Sequence, residues 1–471
     1  MKDTTPTIPH IFALQKDGVA ARRVTFDYTA RMAALAKLEA MVWNEREAIA
    51  EAIHSDFGKH PNEVMLTEIL PLMVEFRQTT KNLRRWMRPK RYPAGRVFMG
   101  TTTKAHPTPK GAALVIGPWN FPLLLSLGPV ISALAAGCSV TLKPSEMTPA
   151  TSALIHRMIT ATFPQDLLAV VEGGVEVSTK LLELPYDHIF FTGSPEVGQI
   201  VMTAAAKTLA TVTLELGGKT PAIVGPDADI KKAARWIAWG KLLNGGQACV
   251  CVDHLYVHES IKEEFLAELT RQIERMARPS PFSSDDIARI AHHRHWTHLS
   301  DLIADARTKG ATFLMGGQTD EAALKIAPTV LLDLRDDMDI QQREIFGPVL
   351  PVMPYNDLDN VITKMNAGPH PLNLYLFGGR DLSDKVIAHT NSGNVAVNLS
   401  VMVFAHPSAT FGGVGRSGNG GAHGYAGFAA FTHMRQVLTA RFFPFHLYFP
   451  PYTKTSKRLI RVLERLLHRG T

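Results

Sequence analysis

The sequence contains little cysteine and lacks the start expected of a secreted protein. Three of its 471 residues are cysteines, Cys138, Cys249 and Cys251, which is too few for a disulfide framework in a chain of this length. Its first residues do not combine a basic segment with a following apolar segment, as a secretory leader does. We therefore expect a protein of the reducing cytoplasm.

The sequence also lacks an unbroken hydrophobic run long enough to span a membrane. The most apolar part of its longest uncharged stretch, Phe121 to Leu142, is interrupted by Pro122, Pro129 and Gly137. A membrane helix needs about 20 consecutive apolar residues. We expect this stretch to form a buried helix followed by a strand.

Positive charge exceeds negative charge, but nothing else in the sequence indicates a nucleic-acid partner. The formal net charge is +7, and basic residues form clusters at 84–91 and 454–469. Neither cluster is joined to a recognisable nucleic-acid-binding motif. We interpret the excess as solvated faces plus attraction for an anionic cofactor. We find no metal-ligand motif.

Short apolar runs alternate with helix-sized segments through most of the chain. This alternation predicts an α/β protein with parallel sheets covered by helices on both faces and ligands at the carboxyl ends of the strands. The predicted strands of the first half are Ala112 to Ile116, Val140 to Leu142, Leu168 to Val171, Ile189 to Thr192 and Val212 to Leu216. Those of the second half are Leu255 to Val257, Ala311 to Leu314, Val349 to Met353, Asn373 to Phe377 and Val395 to Asn398.

The N-terminal part of the chain follows a different pattern. Apolar residues at helical spacing predict one long amphipathic helix over 20–58 and a second helix over 62–87. Pro89 and Pro93 then break the helical pattern, and the Thr-rich stretch Val97 to His106 predicts an extended arm.

One thiol lies on a glycine-rich bend. Asn244 to Ala248 lead into Cys249 and follow a helix-like run, Ala228 to Leu243. A thiol attacks as the thiolate, and free backbone N–H groups on a bend can stabilise both that anion and an oxyanion formed after attack. Cys249 is therefore the candidate nucleophile, and an inert buried cysteine is the alternative.

Two polar residues have the chemistry to assist such a nucleophile. Glu215 is flanked by apolar residues, and partial burial would raise the pKa of its carboxyl group and suit it to act as a general base on water. Asn120 can direct its side-chain amide at an oxyanion. The alternatives are a hidden partner for Glu215 and a turn-stabilising role for Asn120.

Three further segments have the composition of a nucleotide site. Gly193 to Gly198 lies between an apolar strand and a helix, where backbone N–H groups can approach a pyrophosphate. Lys143 and Glu146 can both hydrogen-bond one ribose, and the carboxylate disfavours a 2′-phosphate. Glu344 and Phe346 offer a ribose acceptor and an aromatic face. Each segment has an alternative interpretation. Gly193 to Gly198 could be a plain turn, Lys143 and Glu146 could be a surface ion pair, and Glu344 and Phe346 could be a capping residue beside a core aromatic residue.

Taken in order, these segments resemble the aldehyde dehydrogenase superfamily, and the resemblance spans nearly the whole chain. The matching segments are Pro118 to Pro122, Lys143 to Glu146, Phe191 to Ser194, Leu214 to Lys219, Gly246 to Cys249 and Glu344 to Pro348. Residues 238–241, 371–375 and 411–415 resemble the class-three branch, which includes fatty, aromatic and coniferyl aldehyde dehydrogenases.

By this resemblance, Cys249 would attack the aldehyde carbon while Asn120 and the backbone N–H of Cys249 hold the oxyanion. Hydride would pass to NAD(P)⁺, and water activated by Glu215 would release the resulting thioester as the carboxylic acid. The resemblance implies cofactor contacts at Trp119, Lys143, Glu146, Gly193, Ser194, Gly198, Leu216, Glu344 and Phe346. Because Lys143 and Glu146 are both retained, NAD is the expected cofactor, with NADP as the alternative.

The expected substrate is a medium or long aliphatic aldehyde, or an aromatic one. A coenzyme A-acylating semialdehyde dehydrogenase is the first alternative, and the presence of Glu215 disfavours it because acylating relatives typically lack that carboxylate. The second is a catalytically silent binding or structural protein on the same scaffold. Arg343, Leu399 and Cys251 depart from the family pattern. An extended bend would let Cys251 pair with Cys249, whereas a helical turn would separate them.

The resemblance implies two doubly wound α/β domains, one of them Rossmann-like, and a small β arm. We expect the following parts: an NAD(P)-binding domain over 1–213 interrupted by an arm over 88–108, a catalytic domain over 214–404, a loop and oligomerisation arm over 405–445, and an amphipathic tail over 446–471. By analogy with the family's arm-exchanged dimer, residues near 90–108 and 425–440 would pair across the subunits of a homodimer.

The tail has the pattern of a helix that lies on a membrane surface. One face of the predicted helix is apolar and the other is basic. The apolar face carries Leu459, Ile460, Leu463, Leu466 and Leu467, and the basic face carries Arg458, Arg461, Arg465 and Arg469. We favour packing of this helix against the body or a partner subunit, and contact with a membrane is the alternative. Fatty aldehyde dehydrogenases of the branch use a C-terminal helix near the substrate entrance, so admission of long aldehydes is a further hypothesis.

Overall fold

The polypeptide is described by a computed structural model that covers residues 7–95 and 98–468, without the side chain of Leu466. The expectations that involve residues 1–6, Val97, the Leu466 side chain and Arg469 lie outside this description.

The strands are numbered in chain order. They are β1 Lys90–Tyr92, β2 Thr101–Pro109, β3 Ala112–Ile116, β4 Ser139–Lys143, β5 Leu168–Val170, β6 His188–Gly193, β7 Thr211–Leu216, β8 Pro221–Val224, β9 His254–His258, β10 Thr312–Met315, β11 Thr319–Asp320, β12 Lys325–Ile326, β13 Thr329–Leu332, β14 Val349–Tyr355, β15 Asn373–Phe377, β16 Asn394–Val397, β17 Gly418–Asn419 and β18 Thr432–Ala440.

The α-helices are numbered in the same way. They are α1 Ile8–Asp17, α2 Val19–Thr25, α3 Tyr28–Asn44, α4 Arg46–Phe57, α5 Pro61–Val64, α6 Leu70–Trp86, α7 Leu124–Ala136, α8 Pro149–Thr162, α9 Val175–Leu182, α10 Pro195–Thr208, α11 Ile230–Leu242, α12 Lys262–Met276, α13 His293–Thr308, α14 Asp339–Gln342, α15 Leu358–Ala367, α16 Arg380–His389, α17 Gly424–Ala430 and α18 Lys454–His468. A π-helical turn, Met65–Ile69, joins α5 to α6, and short 3₁₀ helices cover Leu243–Gly246, Glu259–Ile261, Met402–Ala405, Gly415–Ser417 and Pro444–Tyr448.

The first sheet has the strand order β17-β7-β6-β3-β4-β5 and is parallel except at β17. All five strands predicted for the first half of the chain are confirmed, and they form one sheet as expected. β3 to β5 are fully buried because helices cover both faces. The strand order reverses at β3, so a crevice opens beside its carboxyl end.

The second sheet has the order β10-β13-β14-β9-β8-β15-β16 and is parallel except at β10. The five strands predicted here are confirmed, but β8 and β13 were missed. Both are four residues long, and β8 begins at a proline, which weakens the sequence signal. The two-domain α/β fold class is confirmed. The expected boundary after residue 213 falls inside β7, which pairs with β6 as far as Leu216.

The long helix expected over 20–58 is wrong, because three helices, α2, α3 and α4, occupy that stretch. Asp27 caps α3 by accepting a hydrogen bond from the Ala30 N–H, which ends the preceding helix. The helical stretch expected over 62–87 is confirmed. The helix and strand expected over 121–142 are also confirmed as α7 and β4, and Gly137 ends α7 in the left-handed conformation.

The arm is a three-stranded antiparallel sheet of order β1-β2-β18. β18 pairs with β2 along nine residues, from Thr432 opposite Pro109 to Ala440 opposite Thr101. This corrects the expectation that these two segments pair across subunits, since they pair within one chain. Most side chains of β18 after Thr432 are exposed in the single chain.

The tail helix α18 extends from the body with most of its side chains exposed. Ile460, Val462 and Leu467 are all more than a third exposed, and Ser456 is buried. Across residues 7–95 and 98–468, none of the helices combines the length and the apolar character needed to span a bilayer.

Candidate functional site

Cys249 lies in the turn that connects α11 to β9. After α11, Asn244, Gly245 and Gly246 all have positive φ, which asparagine and glycine tolerate best. A side chain at Gly246 would clash with the backbone of Gly347. The Cys251 N–H donates to the Ala248 carbonyl at 2.9 Å and closes the turn around Cys249. The glycine-rich bend predicted here is confirmed, and it leaves Cys249 partly exposed.

Buried amides fix the backbone on the approach to Cys249. The Asn244 side chain donates to the carbonyls of Asn120 and Gln247 at 2.9 and 3.1 Å. The Gln247 side chain donates to the carbonyls of Asn244 and Arg289 and accepts from the Ala291 N–H. With nearly all of these polar groups paired inside the protein, the turn has little freedom to move.

The loop that carries Asn120 is held by an ion pair that sequence reasoning missed. Lys59 and Glu68 are fully buried, and their side chains meet at 2.8 Å. Glu68 also accepts the N–H groups of Leu123 and Leu124 at 3.1 and 2.9 Å. The ammonium of Lys59 lies 4.1 Å from the centre of the Phe121 ring. These two residues lie about 60 positions before the loop, so local sequence gave no signal of the contact.

Asn120 points its side-chain amide at the backbone of the cysteine turn. Its Nδ2 donates to the Gln247 carbonyl at 3.0 Å, two residues before Cys249. An amide nitrogen has two N–H donors, so this bond leaves one donor available to another acceptor. The side chain is buried. This position is compatible with donation to an oxyanion formed at Cys249.

Glu215 lies in β7 with both carboxylate oxygens buried and without a partner among the described residues. Burial raises the pKa of its carboxyl group well above the ordinary value. Its neighbour in the parallel register is Thr192, whose hydroxyl is also buried and unpartnered within the described part of the chain. A carboxyl and a hydroxyl left unpaired side by side form a place for a polar molecule such as water. Thr192 was not singled out from the sequence.

One cavity brings Cys249 and Glu215 together. It has a volume of about 520 Å³, part of it open to solvent, and its wall is largely apolar. Thr192, Phe404 and His423 also line it. A second cavity of about 330 Å³ shares Phe404 and His423 with the first and extends towards α6. The reactive groups therefore face a space suited to an apolar molecule.

The electrostatic surroundings of Cys249 disfavour a resting thiolate. Burial raises the pKa of its thiol, and the carboxylates of Glu344 and Glu215 raise it further. The thiol is thus neutral in the absence of ligands, and a nearby cation or a hydrogen-bond donor would promote its ionisation. The backbone N–H of Cys249 acts in this direction and lowers the pKa of the thiol.

The predicted pyrophosphate segment lies at the carboxyl end of β6 and the start of α10. Ser194 caps α10 by accepting a hydrogen bond from the Val197 N–H. A side chain at Gly193 would meet the Phe191 ring, and one at Gly198 would meet the end of the Leu216 side chain, so neither position has free space. Ser194, Val197 and the following turn remain exposed. Anions bind readily at such a helix N-terminus, so the segment fits a dinucleotide phosphate.

Lys143 and Glu146 form an ion pair at the carboxyl end of β4. Lys143 is buried, whereas the Glu146 side chain is one third exposed. The surface ion pair considered as an alternative is therefore present, but its cation is not a surface group. Both side chains lie on the sheet edge that also carries Gly193, and they fit the hydroxyls of a sugar.

Phe346 and Trp119 form an aromatic contact beside Glu344. Their ring centres lie 5.4 Å apart, and Phe346 has a positive φ of 53°. His295 fixes this conformation by contacting the Phe346 carbonyl through Nε2 at 2.8 Å. Burial raises the pKa of Glu344 to about 8, and its carboxylate lies against the backbone of Gly217 and Gly218. His295 is a further contact that the sequence did not indicate.

Lys219 ties the segment after Glu215 to the segment before Glu344. Its ammonium donates to Asp253 at 2.6 Å and to the carbonyls of Ile340 and Arg343 at 2.9 and 2.8 Å. Burial opposes ionisation of Asp253, but Lys219, His254 and Lys241 together outweigh it, so the pKa of Asp253 is held below its ordinary value. These bonds join loops from both sheets around the site.

Cys251 points away from the cavity wall formed by Cys249. It is buried in the hydrophobic core, and its sulfur lies 3.7 Å from the Leu243 carbonyl. Burial raises the pKa of its thiol to about 12. Because the segment forms a turn, the arrangement matches the packing interpretation and both sulfurs are free thiols.

Comparison with known proteins agrees with this geometry. A model described as the aldehyde dehydrogenase family matches residues 20–437. A probable coniferyl aldehyde dehydrogenase of Pseudomonas aeruginosa is 39% identical over 457 residues, which cover 96% of this chain and 94% of the relative. Aldehyde dehydrogenase family 3 member H1 of Arabidopsis thaliana is 37% identical over 443 residues, covering 93% and 91%.

A solved structure shares the same fold. The substrate-bound state of Staphylococcus aureus AldH superimposes with a TM-score of 0.92 at 35% identity, over 97% of this chain and 99% of that one. The similarity therefore extends over nearly the whole chain.

Proposed function

The chain belongs to the class-three branch of the aldehyde dehydrogenase family, and on that premise we propose that it oxidises an aldehyde to the carboxylic acid through Cys249. The observation that carries the proposal is the single cavity in which Cys249 and the unpartnered Glu215 meet. The family uses NAD(P), and the exposed start of α10 with Lys143 and Glu146 fits that cofactor.

In the proposed reaction the Cys249 thiol releases its proton to water, the resulting thiolate bonds to the aldehyde carbon, and the carbonyl oxygen becomes an oxyanion. The free donor of Asn120 and the Cys249 N–H hold that oxyanion. Glu344 and Phe346 would hold the nicotinamide end of the cofactor, which would supply the acceptor for the hydride lost by the aldehyde carbon, so that a thioester could form on Cys249. Glu215 takes a proton from water, hydroxide adds to the thioester, and the acid leaves as the Cys249 thiolate is regenerated.

We propose NAD as the preferred cofactor, because the Glu146 carboxylate would repel a 2′-phosphate. The KM values for NAD and NADP measure this preference. Glu146→Ala should narrow the difference between the two, and an unchanged ratio would remove Glu146 from the explanation.

The proposed substrate is an aromatic or a medium to long aliphatic aldehyde. The largely apolar wall of the cavity supports this class, as does the similarity to a probable coniferyl aldehyde dehydrogenase. A panel from short aliphatic to cinnamyl-type aldehydes, run with each cofactor, tests it by the absorbance of reduced nicotinamide. Cys249→Ala is the blank. Turnover that is absent, or equal in the blank, would overturn the proposal.

The same panel with and without coenzyme A separates the acylating alternative. A dehydrogenase that uses Glu215 on water releases the free acid in both cases. Formation of an acyl-coenzyme A as the main product would instead support the acylating reaction. A chain that binds NAD but oxidises none of the aldehydes would support the silent binding protein.

We also propose a cytoplasmic homodimer that touches anionic membranes through its tail. The apolar side chains of α18, several of them exposed, lie on one helical face and the arginines lie on the other, as in an interfacial helix. Cosedimentation with anionic vesicles, compared with a chain ending at Pro451, tests the membrane contact, and equal binding would exclude it. Light scattering at micromolar concentration tests the dimer, and a monomer mass would contradict it.

A further inference from the structure

His423 is the polar residue common to the two adjoining cavities. It lines the reaction cavity with Cys249 and also the outer cavity with Pro71 and Val74. Its other close neighbours are the rings of Phe404, at 4.8 Å between ring centres, and Phe411, at 6.1 Å. An imidazole between two apolar chambers is placed where a molecule that extends from Cys249 would pass.

The backbone of His423 is held in an unusual conformation. Its φ is 65° and its ψ is 147°, a region that residues other than glycine seldom adopt. The next residue, Gly424, begins α17 and donates its N–H to Glu75 at 2.9 Å. A strained residue kept in position by a buried carboxylate is a feature typical of ligand-contacting sites.

The same carboxylate orients the imidazole. The second oxygen of Glu75 lies 3.6 Å from Nδ1 of His423, and both side chains are largely buried. A carboxylate on this side favours the tautomer with the proton on Nδ1, which leaves Nε2 as a hydrogen-bond acceptor. Glu75 is on α6, so the orientation comes from a helix and not from the loop itself.

Nε2 of His423 is buried and has no partner among the described residues. A buried polar atom without a hydrogen bond is costly, and native proteins usually satisfy it. No group of the described residues pairs with this atom, so its partner is a molecule held in the cavities, either water or a polar group of a ligand. The complementary group for an acceptor is a hydroxyl.

We infer that His423 is a specificity-determining residue that accepts a hydrogen bond from a hydroxyl carried by the aldehyde substrate, away from its carbonyl group. This inference rests on the proposed oxidation at Cys249. The substrate class is thereby narrowed to hydroxylated aldehydes, phenolic or ω-hydroxy aliphatic, whose body is apolar and whose distal end donates one hydrogen bond. Glu75 acts as a positioning residue for the imidazole.

Matched pairs of aldehydes test the inference. One pair is 4-hydroxycinnamaldehyde and 4-methylcinnamaldehyde, and a series of ω-hydroxyalkanals is paired with alkanals in which methyl replaces the hydroxyl. The readout is the hydroxyl-to-methyl ratio of kcat/KM. We expect the wild-type ratio to exceed one by roughly ten- to hundredfold for the length that reaches His423, the range set by leaving a buried acceptor unpaired. A ratio near or below one for every pair would overturn the inference.

Variants at the same position separate recognition from folding. His423→Leu should bring the ratio close to one, whereas His423→Asn, which keeps a polar amide, should retain part of it. Thermal unfolding midpoints show whether each variant folds, and His423→Gly replaces His423→Leu if strain prevents folding. Equal ratios in wild type and all variants would overturn the inference. Failure of the wild type to oxidise any aldehyde would instead refute the proposed function.

Discussion

Glu68 and Glu215 are both buried carboxylates of the candidate site, yet their surroundings differ. Glu68 has Lys59 on one oxygen and two backbone N–H groups on the other. Glu215 has no partner on either oxygen among the described residues. A carboxylate whose bonds are all made within the protein positions the backbone, and one left unpaired is available to reactants.

The same division extends to the two sides of Cys249. On one side, Asn244 and Gln247 form a dense set of hydrogen bonds that fixes the turn. On the other side, the cavity wall holds polar groups of Thr192, Glu215 and His423 that have no partner within residues 7–95 and 98–468. The hydrogen-bonded amides thus lie on the side of Cys249 where the turn is anchored. The polar groups that can still bind a ligand lie on the side of Cys249 that faces the cavity.

Removing the cation of the supporting pair should have the largest effect. Lys59→Met leaves Glu68 as a buried charge without compensation, and we expect a loss of stability of about 3–5 kcal/mol. Urea unfolding measures it through the midpoint. The double variant Lys59→Met/Glu68→Gln is the matched control and should be less destabilised. Equal destabilisation of the single and the double variant would show that the charge pair is not the cause.

Asn120→Ala tests a side chain that both bonds the cysteine turn and is proposed to bind the oxyanion. We expect kcat to fall by about 10²–10³-fold, as for the loss of one oxyanion donor. The unfolding midpoint should change little, because the Asn244 side chain still donates to the Gln247 carbonyl. If kcat and the unfolding midpoint both fell, Asn120 would only stabilise the turn that carries Cys249.

Glu215→Gln should stabilise the protein while it reduces turnover. In the unfolded chain this carboxyl ionises near its ordinary pKa, but in the fold its pKa is raised, so Glu215 costs more stability as the pH rises above that ordinary value. Glutamine does not titrate. We therefore expect a gain of about 1–3 kcal/mol that is larger at pH 8 than at pH 5. Glu68→Gln, the control, should destabilise, and a gain that shrinks with rising pH would contradict the assignment.

Much of this arrangement was predictable from the sequence, because it depends on short segments. The strands around β3 and the bend before Cys249 are encoded by contiguous apolar and glycine residues, and both predictions are confirmed. Lys59, His295 and Glu75 were missed, since each acts on a segment far away in the chain. The break near Asp27 was missed because a single capping residue ends a helix without altering the apolar spacing.

The roles of the predicted site residues stay predictions, but their positions are informative. Gly193 and Gly198 were expected to admit a phosphate, and side chains at these positions would meet Phe191 and Leu216. Sequence alone does not distinguish a glycine that makes room for a neighbouring side chain from one that makes room for a ligand, because either cause places a glycine at that position.

The smallest expected effect is on the reactivity of the thiol. Burial is the main reason that the pKa of Cys249 is raised, and Glu344 and Glu215 add to it. Replacing either carboxylate by glutamine should shift the pH profile of alkylation by iodoacetamide to lower pH, with the larger shift for Glu344→Gln. Cys249→Ala supplies the background from the buried Cys138 and Cys251. A shift to higher pH would contradict the assignment.

The roles of Cys249 as nucleophile and Glu215 as base are tested most directly by a rapid-mixing experiment. It uses Glu215→Gln with NAD and an aldehyde that the wild type oxidises. We predict a burst of one reduced nicotinamide per subunit followed by slow turnover, with an acyl group on Cys249 detected by intact mass. Steady turnover at the wild-type rate, with no acylated Cys249, would contradict the assignment of Glu215 as the base that acts on water.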